Sequence, residues 1–436
     1  MTPSGPAHPA SWVAWPVLAV AHWGLFTGTQ PLATWFYPLA WWSYVALLDG
    51  VLARRGKPHL FAWPPRRLVA LGFASWAFWL LFEAINLRIA NWYYVGVPEM
   101  WLSRWLGVSL SFATVLPLLQ VTERALAPTR VLDRLIGPCA VRPLRVTPLL
   151  LALVQGTGLA FLVLPLAFPR HAFPLVWGFV PLLLDPANHR RGLPSLLGDW
   201  ERGSARRFVT LLLAGLVCGL LWEGWNFWAV GKWIYTVPFL NELKLFEMPP
   251  LGFLGFPPLA VAGWVFGVWL NDHWRRAATP LRGLAVGLTF VLGLAVLAAM
   301  DRYTVDAPAP RLDGVALLDA GQRDRLEAAG VGSIQALAEA SDGRLDAVAG
   351  AAGLDPVRLR AARDWARLAR LKGIGNAHAA RLGDLGIRSV ADLARQTPKG
   401  LYRMLDGAEP LARLRVWVRA ARRAVLESGG APSPPG

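Results

Sequence analysis

Between Trp12 and Met300 the chain returns repeatedly to apolar runs long enough to cross a bilayer, and this constrains its fold more than any other feature. A hydrocarbon core of roughly 30 Å takes about 20 helical residues, and inside it every backbone N–H and C=O must find a partner within the helix or the bundle. Nine stretches are candidates: residues 12–27, 33–53, 68–90, 105–126, 146–168, 172–186, 208–230, 251–270 and 281–300. The first and sixth are the shortest. With 55% hydrophobic and 17% charged residues, the chain is too apolar for an ordinary soluble protein.

Basic residues crowd alternate loops. Arg54, Arg55, Lys57, Arg66 and Arg67 fill the second, and Arg124, Arg130, Arg134, Arg142 and Arg145 the fourth. Arg190, Arg191, Arg202, Arg206 and Arg207 fill the sixth, and Arg275, Arg276 and Arg282 the eighth. The odd loops carry chiefly Arg104, Arg170, Lys232 and Lys244. The positive-inside rule then puts the even loops and the N-terminus in the cytoplasm of a cell (inner) membrane, and nine crossings leave the C-terminal part outside. The net charge of +16 therefore marks one membrane face and is not by itself a nucleic-acid signal. The N-terminal "MTPSGPAHPA" lacks a basic n-region and reads as a disordered tail, 1–10, with the first span retained. Cys139 and Cys218 lie in different segments, so neither a disulfide framework nor a thiolate zinc site is available.

The segment "FEAINLRIANWYYVGVP" at 82–98 has a counterpart, "WEGWNFWAVGKWIYTVP", at 222–238. Glu83 and Asn86 recur as Glu223 and Asn226, 140 positions on, as do Arg66-Arg67 in Arg206-Arg207. Trp92 and Tyr94 match Trp233 and Tyr235 after a one-residue slip. Upstream, Asp49, Arg54 and Arg55 recur as Asp185, Arg190 and Arg191 at an offset of 136. The membrane part reads as a tandem duplication, 11–127 and 146–274, with four spans in each copy and a ninth span at 281–300. An even number of spans per copy makes the repeats parallel, about an axis along the membrane normal.

Glu83 and Asn86 share one helix face. Sixteen residues separate Arg67 from Glu83, or roughly 24 Å of helix, so the carboxylate lies in the outer part of the core and Trp92, Tyr94, Trp233 and Tyr235 fall at the outer headgroup level. Two readings stand side by side. Each Glu-Asn pair bonds a neighbouring helix or caps the outer loop; alternatively, both carboxylates face a shared cavity where they exchange protons or bind a cation. Asp49 and Asp185 read as loop staples pairing with the following arginines, against anionic-lipid or phosphate binding. After the second motif comes "FLNELKLFEMPPLGFLGFPPLAVAGW", with Glu247, two double prolines and Gly252-x-x-Gly255, whereas the first half has only Pro117. A broken helix in the second half is thus expected, either flanking a binding site or forming a simple kink. The seven histidines are scattered and no cofactor or metal motif appears, so no cofactor and no metal are expected.

Beyond Met300 the composition turns soluble. "LKGIGNAHAARLGDLGIRSVADLARQTPKGLYRML", from Leu371, resembles a helix-hairpin-helix unit, in the tandem form found in an uncharacterised family of bacterial domains, over about 312–421. Leu326, Gly330, Ser333, Leu337 and Ala338 recur 56 positions on as Leu382, Gly386, Ser389, Leu393 and Ala394. In DNA-binding members of such folds a Gly-x-Gly hairpin turns backbone N–H groups toward phosphate. Here Gly373 and Gly375 keep it, while the first copy has Leu317-Leu318-Asp319. Because only one hairpin keeps the glycines and nine spans leave the domain at 312–426 outside, a protein partner or self-association is expected through it and nucleic acid is not an expected partner; 427–436 is a disordered tail.

The fold expected is all-α: a polytopic bundle of two parallel four-helix repeats plus one span, then a small soluble helix-hairpin-helix domain. The leading functional expectation is transport or binding of a small or lipid-like ligand at the Glu-x-x-Asn site, in a protein whose constant partner is the bilayer. The alternatives are a membrane enzyme using the Glu pair for acid/base chemistry on an apolar, isoprenoid-like substrate, and a structural scaffold carrying an interaction module.

Overall fold

A computed structural model describes residues 9–127, 139–237 and 244–427. The terminal tails beyond those limits, Arg130, Arg134 and Pro238 lie outside the described residues. The chain is predominantly helical and divides into two compact units.

The first unit holds residues up to Trp92, 101–229 and the stretch ending at Thr304. Six of its helical stretches are long and apolar enough to cross a membrane: Pro65–Ile89, Trp101–Leu126, Pro148–Ala167, Arg206–Trp228, Pro250–Arg276 and Thr279–Tyr303. The other three candidates also form helices, Pro9–Thr27, Phe36–Arg54, and a 3-10 turn Phe173–Trp177 followed by Phe179–Arg190. The last is divided at Gly178, so its helical run is shorter than a single spanning helix. Pro148–Ala167 and Thr279–Tyr303 keep only 17% of their most apolar window buried, leaving Leu149, Leu153, Leu284, Leu288 and Phe290 outward. Apolar side chains presented outward over a whole helix suit a lipid surface.

A broken fourth helix is expected in the second half alone, and the structure corrects this. Trp101–Phe112 and Val115–Leu126 are separate helices on either side of residues 113–114, upstream of Pro117. Ser75, on the preceding helix, satisfies the opened backbone: its hydroxyl donates to Phe112 O (2.6 Å) and accepts from Leu116 N (2.9 Å). In the second half the break is the 3-10 segment Pro250–Gly255 leading into Phe256–Arg276. There the position 140 residues after Ser75 is Gly215, where a Cβ would stand 2.5 Å from Phe256 O. The serine bonds the break and the glycine lets the backbone reach it.

Asp49 and Asp185 do not staple the arginines that follow them. Asp49 accepts from the backbone N–H groups of Leu60 and Phe61, and Asp185 from those of Leu196 and Leu197 at 2.9 Å each. Both carboxylates occupy the start of a short helical turn, where orphan N–H groups and the local dipole favour an anion. Arg190 and Arg191 instead reach Gln155 and Asp272.

The second unit comprises 93–100, 230–236 and 305–427. The all-α expectation misses its three-stranded sheet, ordered β2 (Lys232–Tyr235), β1 (Trp92–Val97), β3 (Val305–Pro308). β1 and β3 run parallel, with Tyr94 opposite Val305 and Val95 opposite Ala307. Tyr93, Val95, Ile234, Ala307 and Val416 form a small buried cluster that fastens the sheet to the last helix, Leu411–Glu427. Eight helices follow β3, around a core that includes Leu326, Leu337, Leu382, Leu393, Leu401 and Trp417. Six of them start on a side-chain N-cap: Asp319 and Ser389 in capping boxes, and Ser333, Ser341, Asp355 and Thr397 as single caps.

Candidate functional site

The Pro65–Ile89 helix carries Glu83 and Asn86 on its buried face, both with no exposed surface. The helix ends where Ala90 takes a left-handed conformation (φ 50°), which a residue with a Cβ adopts only under local constraint. Asn86 supplies that constraint. Its Oδ1 accepts from Asn91 N (2.9 Å) and Trp92 N (3.3 Å), while its Nδ2 donates to Trp92 O (2.8 Å). One side chain therefore holds the turn from the helix into β1.

Glu83, one helical turn earlier, accepts from the indole of Trp79 at 2.9 Å and from the indole of Trp92 at 3.2 Å to each oxygen. Its carboxylate is thus a hydrogen-bond hub for the first residue of the strand. Glu223 and Asn226 are likewise fully buried near the end of Arg206–Trp228. A tilted aromatic contact joins the two helices, Trp79 lying 5.4 Å from Trp222, while Trp41 of Phe36–Arg54 meets Trp222 edge-on at 5.6 Å and Trp177 of the 3-10 turn stacks on Phe82 at 5.4 Å. Glu247 is buried in the tight turn bridged between Leu245 and Met248, where Phe246 has φ 58°.

The aromatic residues expected as an outer membrane belt have a different role. Trp92, Tyr94 and Tyr235 are buried strand residues and Trp233 is half-buried, so sheet formation withdraws their rings from a lipid-facing position. Gly373 and Gly375 do adopt the positive φ values (77° and 63°) that the hairpin requires. Yet the hairpin is buried. A Cβ at Gly373 would stand 3.2 Å from Trp417 Nε1 and 3.4 Å from Tyr93 Oη, and one at Gly375 would stand 3.1 Å from Ala307 Cβ. The backbone that would face phosphate faces β1 and β3.

One cluster escapes sequence reasoning. Asp306, His378 and Glu409 offer ligand-type atoms that all lie within 4.8 Å of one another. Arg413 donates to Asp306 at 2.7 Å, Arg381 to Glu409 at 2.9 Å, and His378 Nε2 lies 3.3 Å from Asp306. Two guanidiniums already balance the two carboxylates, so a dication would add uncompensated buried charge. The arrangement is an ion-pair network tying β3 to the helical core. No spacing signal announces it, because its members lie far apart in the chain.

The fold defines a predominantly helical protein with six helices long and apolar enough to cross a membrane, followed by a C-terminal helical domain. Residues 318–423 match the family model described as Domain of unknown function (DUF4332), while the membrane part remains without a family. No curated protein and no solved structure matches the chain.

Proposed function

We propose that the protein is a membrane-embedded scaffold: two pseudo-symmetric four-helix repeats and a ninth span hold the C-terminal domain at the outer face of the inner membrane. The observation that carries this reading is the three-stranded sheet. β1 begins two residues after a spanning helix ends, β2 three residues after another, and β3 one residue after the last. Linkers this short reach at most about 3.5 Å per residue, and paired strands lie about 4.8 Å apart. Chain connectivity thus supports one membrane face for the ends of Pro65–Ile89, Arg206–Trp228 and Thr279–Tyr303.

This arrangement also bears on the weak sixth span. Between Ile89 and Trp228 an even number of crossings is needed, and composition supplies three: Trp101–Leu126, Pro148–Ala167 and Arg206–Trp228. We assign the fourth to 173–190, where a 5-residue 3-10 turn and a 12-residue helix, at about 2.0 and 1.5 Å per residue, together reach roughly 28 Å. The outer end is the one opposite Arg66, Arg67, Arg206, Arg207 and Arg282, whether or not Pro9–Thr27 crosses.

Duplication is supported by reciprocal packing. Trp41 against Trp222 and Trp177 against Phe82 are the same pair with the copies exchanged, at the offsets of 136 and 140. In the C-terminal domain Gly330 and Gly386 (φ 83° and 81°) and the caps Ser333 and Ser389 repeat at 56, which supports a tandem helix-hairpin-helix reading. With its Gly-x-Gly hairpin buried, the domain is suited to a protein partner or self-association and not to nucleic acid.

Burial of both Glu83 and Glu223 favours a second reading, a small or lipid-like ligand bound or transported at the Glu-x-x-Asn pairs, with an acid/base enzyme as its chemical variant. Asn86 and Glu83 as anchors of β1 weigh toward the scaffold. Reporter fusions at Arg170, Gly192 and Gly314 test the topology. The scaffold reading expects Arg170 and Gly314 outside and Gly192 inside; Arg170 and Gly192 on one side would refute it.

A further inference from the structure

Two arginines of the first half lie together at the basic ends of their helices. Arg67, at the start of Pro65–Ile89, lies with its Cζ 3.8 Å from the centre of the Trp63 indole, and Arg124, at the end of Val115–Leu126, lies 5.7 Å from the same ring. Two guanidiniums thus share one indole, and neither makes an ion pair among the described residues. Arg124 Nη1 is buried and has no hydrogen-bond partner there. A buried charged donor left without an acceptor is costly. The charged groups facing Arg124 are Glu123, Asp49 and Arg67 itself. Asp49 is already engaged by Leu60 N, Phe61 N and His59, and Glu123 also faces Arg207.

The second half is built differently at the same place. The counterpart of Arg67 is Arg207, which pairs with Asp199 at 3.4 Å and lies 4.7 Å from Trp264. Trp264 is itself the counterpart of Arg124, 140 positions on. The second copy thus pairs its arginine internally. The first copy has a second arginine where the other has a tryptophan.

We propose that Arg67 and Arg124, beside Trp63, bind a phosphate-type anion, supplied either by the headgroup of an anionic lipid or as free phosphate. Guanidinium donors are matched to phosphate oxygens. The site lies at the basic end of the spans, where the headgroups of the leaflet are found, and Trp63 forms an amphipathic floor at that depth.

The test uses the full chain. Purified protein is reconstituted in nanodiscs of phosphatidylcholine, with or without phosphatidylglycerol, and bound lipid is counted by native mass spectrometry. A parallel titration in detergent with inorganic phosphate reads the thermal midpoint. The variants are Arg124→Met, Arg67→Met and, as the control from the second half, Arg207→Met. Retention of phosphatidylglycerol alone assigns the headgroup, and stabilisation by phosphate assigns the free anion. Either should fall about tenfold or more in Arg124→Met and Arg67→Met and persist in Arg207→Met. Equal retention in all variants, or no response of the wild type to either probe, overturns the proposal. Should Arg124→Met not fold, Arg67→Met, whose side chain is exposed, decides alone.

Discussion

Replacing Asn86 by Ala should release the turn that leads into β1. The side chain makes three hydrogen bonds, to Asn91 N, Trp92 N and Trp92 O, and is fully buried. Each bond contributes roughly 1 kcal/mol net, and each buried backbone group left without a partner costs about 1–3 kcal/mol. With partial relaxation, a total loss of about 3–5 kcal/mol is expected. The left-handed Ala90 adds to it, because that conformation persists only while its surroundings hold it. The assay is denaturant unfolding of the purified protein in detergent, followed by tryptophan fluorescence, with limited proteolysis between Ile89 and β1 as a local probe. Asn86→Ala should lower the midpoint and open the segment to protease, and Asn86→Asp should recover part of the loss by keeping the acceptor. A change below about 1 kcal/mol with unaltered proteolysis would show that the hydrogen bonds do not hold the turn.

Glu83→Gln keeps an oxygen acceptor for the Trp79 and Trp92 indoles, so the scaffold reading expects near-normal yield and a loss of no more than about 1–2 kcal/mol; the double variant with Glu223→Gln, assayed for any ligand response, separates that reading from a proton or cation role. Gly373→Val meets both a φ of 77° and contacts with Trp417 and Tyr93, and should destabilise the C-terminal domain by about 2–4 kcal/mol in thermal unfolding. Because the hairpin is buried, the full chain in detergent should show no submicromolar, salt-sensitive binding of duplex DNA by fluorescence anisotropy, and such binding, lost in Gly373→Val, would count against the reading. The Arg363 hydrogen bond holds the Asp342 carboxyl below its usual range. A depressed folded pKa stabilises above the unfolded value and is lost as pH falls through the folded one, so Asp342→Asn should flatten the decline in stability below about pH 4.

Much was legible in the sequence because the membrane acts on each segment separately. Apolar length, the basic loops and the retained Glu-x-x-Asn pairs are all local signals, and helices form at the apolar runs those signals mark. Tertiary structure alone decided what these residues touch. The three strands are four to six residues long and come from helix ends spread over more than two hundred positions, too short for a readable alternation and too distant for any spacing rule. Their pairing turned expected belt aromatics into sheet residues and buried the Gly373 hairpin. It also gave Asn86 and Glu83 a structural task that composition could not separate from a binding one. Likewise, Asp49 and Asp185 serve backbone N–H groups and not the nearby arginines, because an orphan helix start is a closer and better oriented donor than a flexible guanidinium.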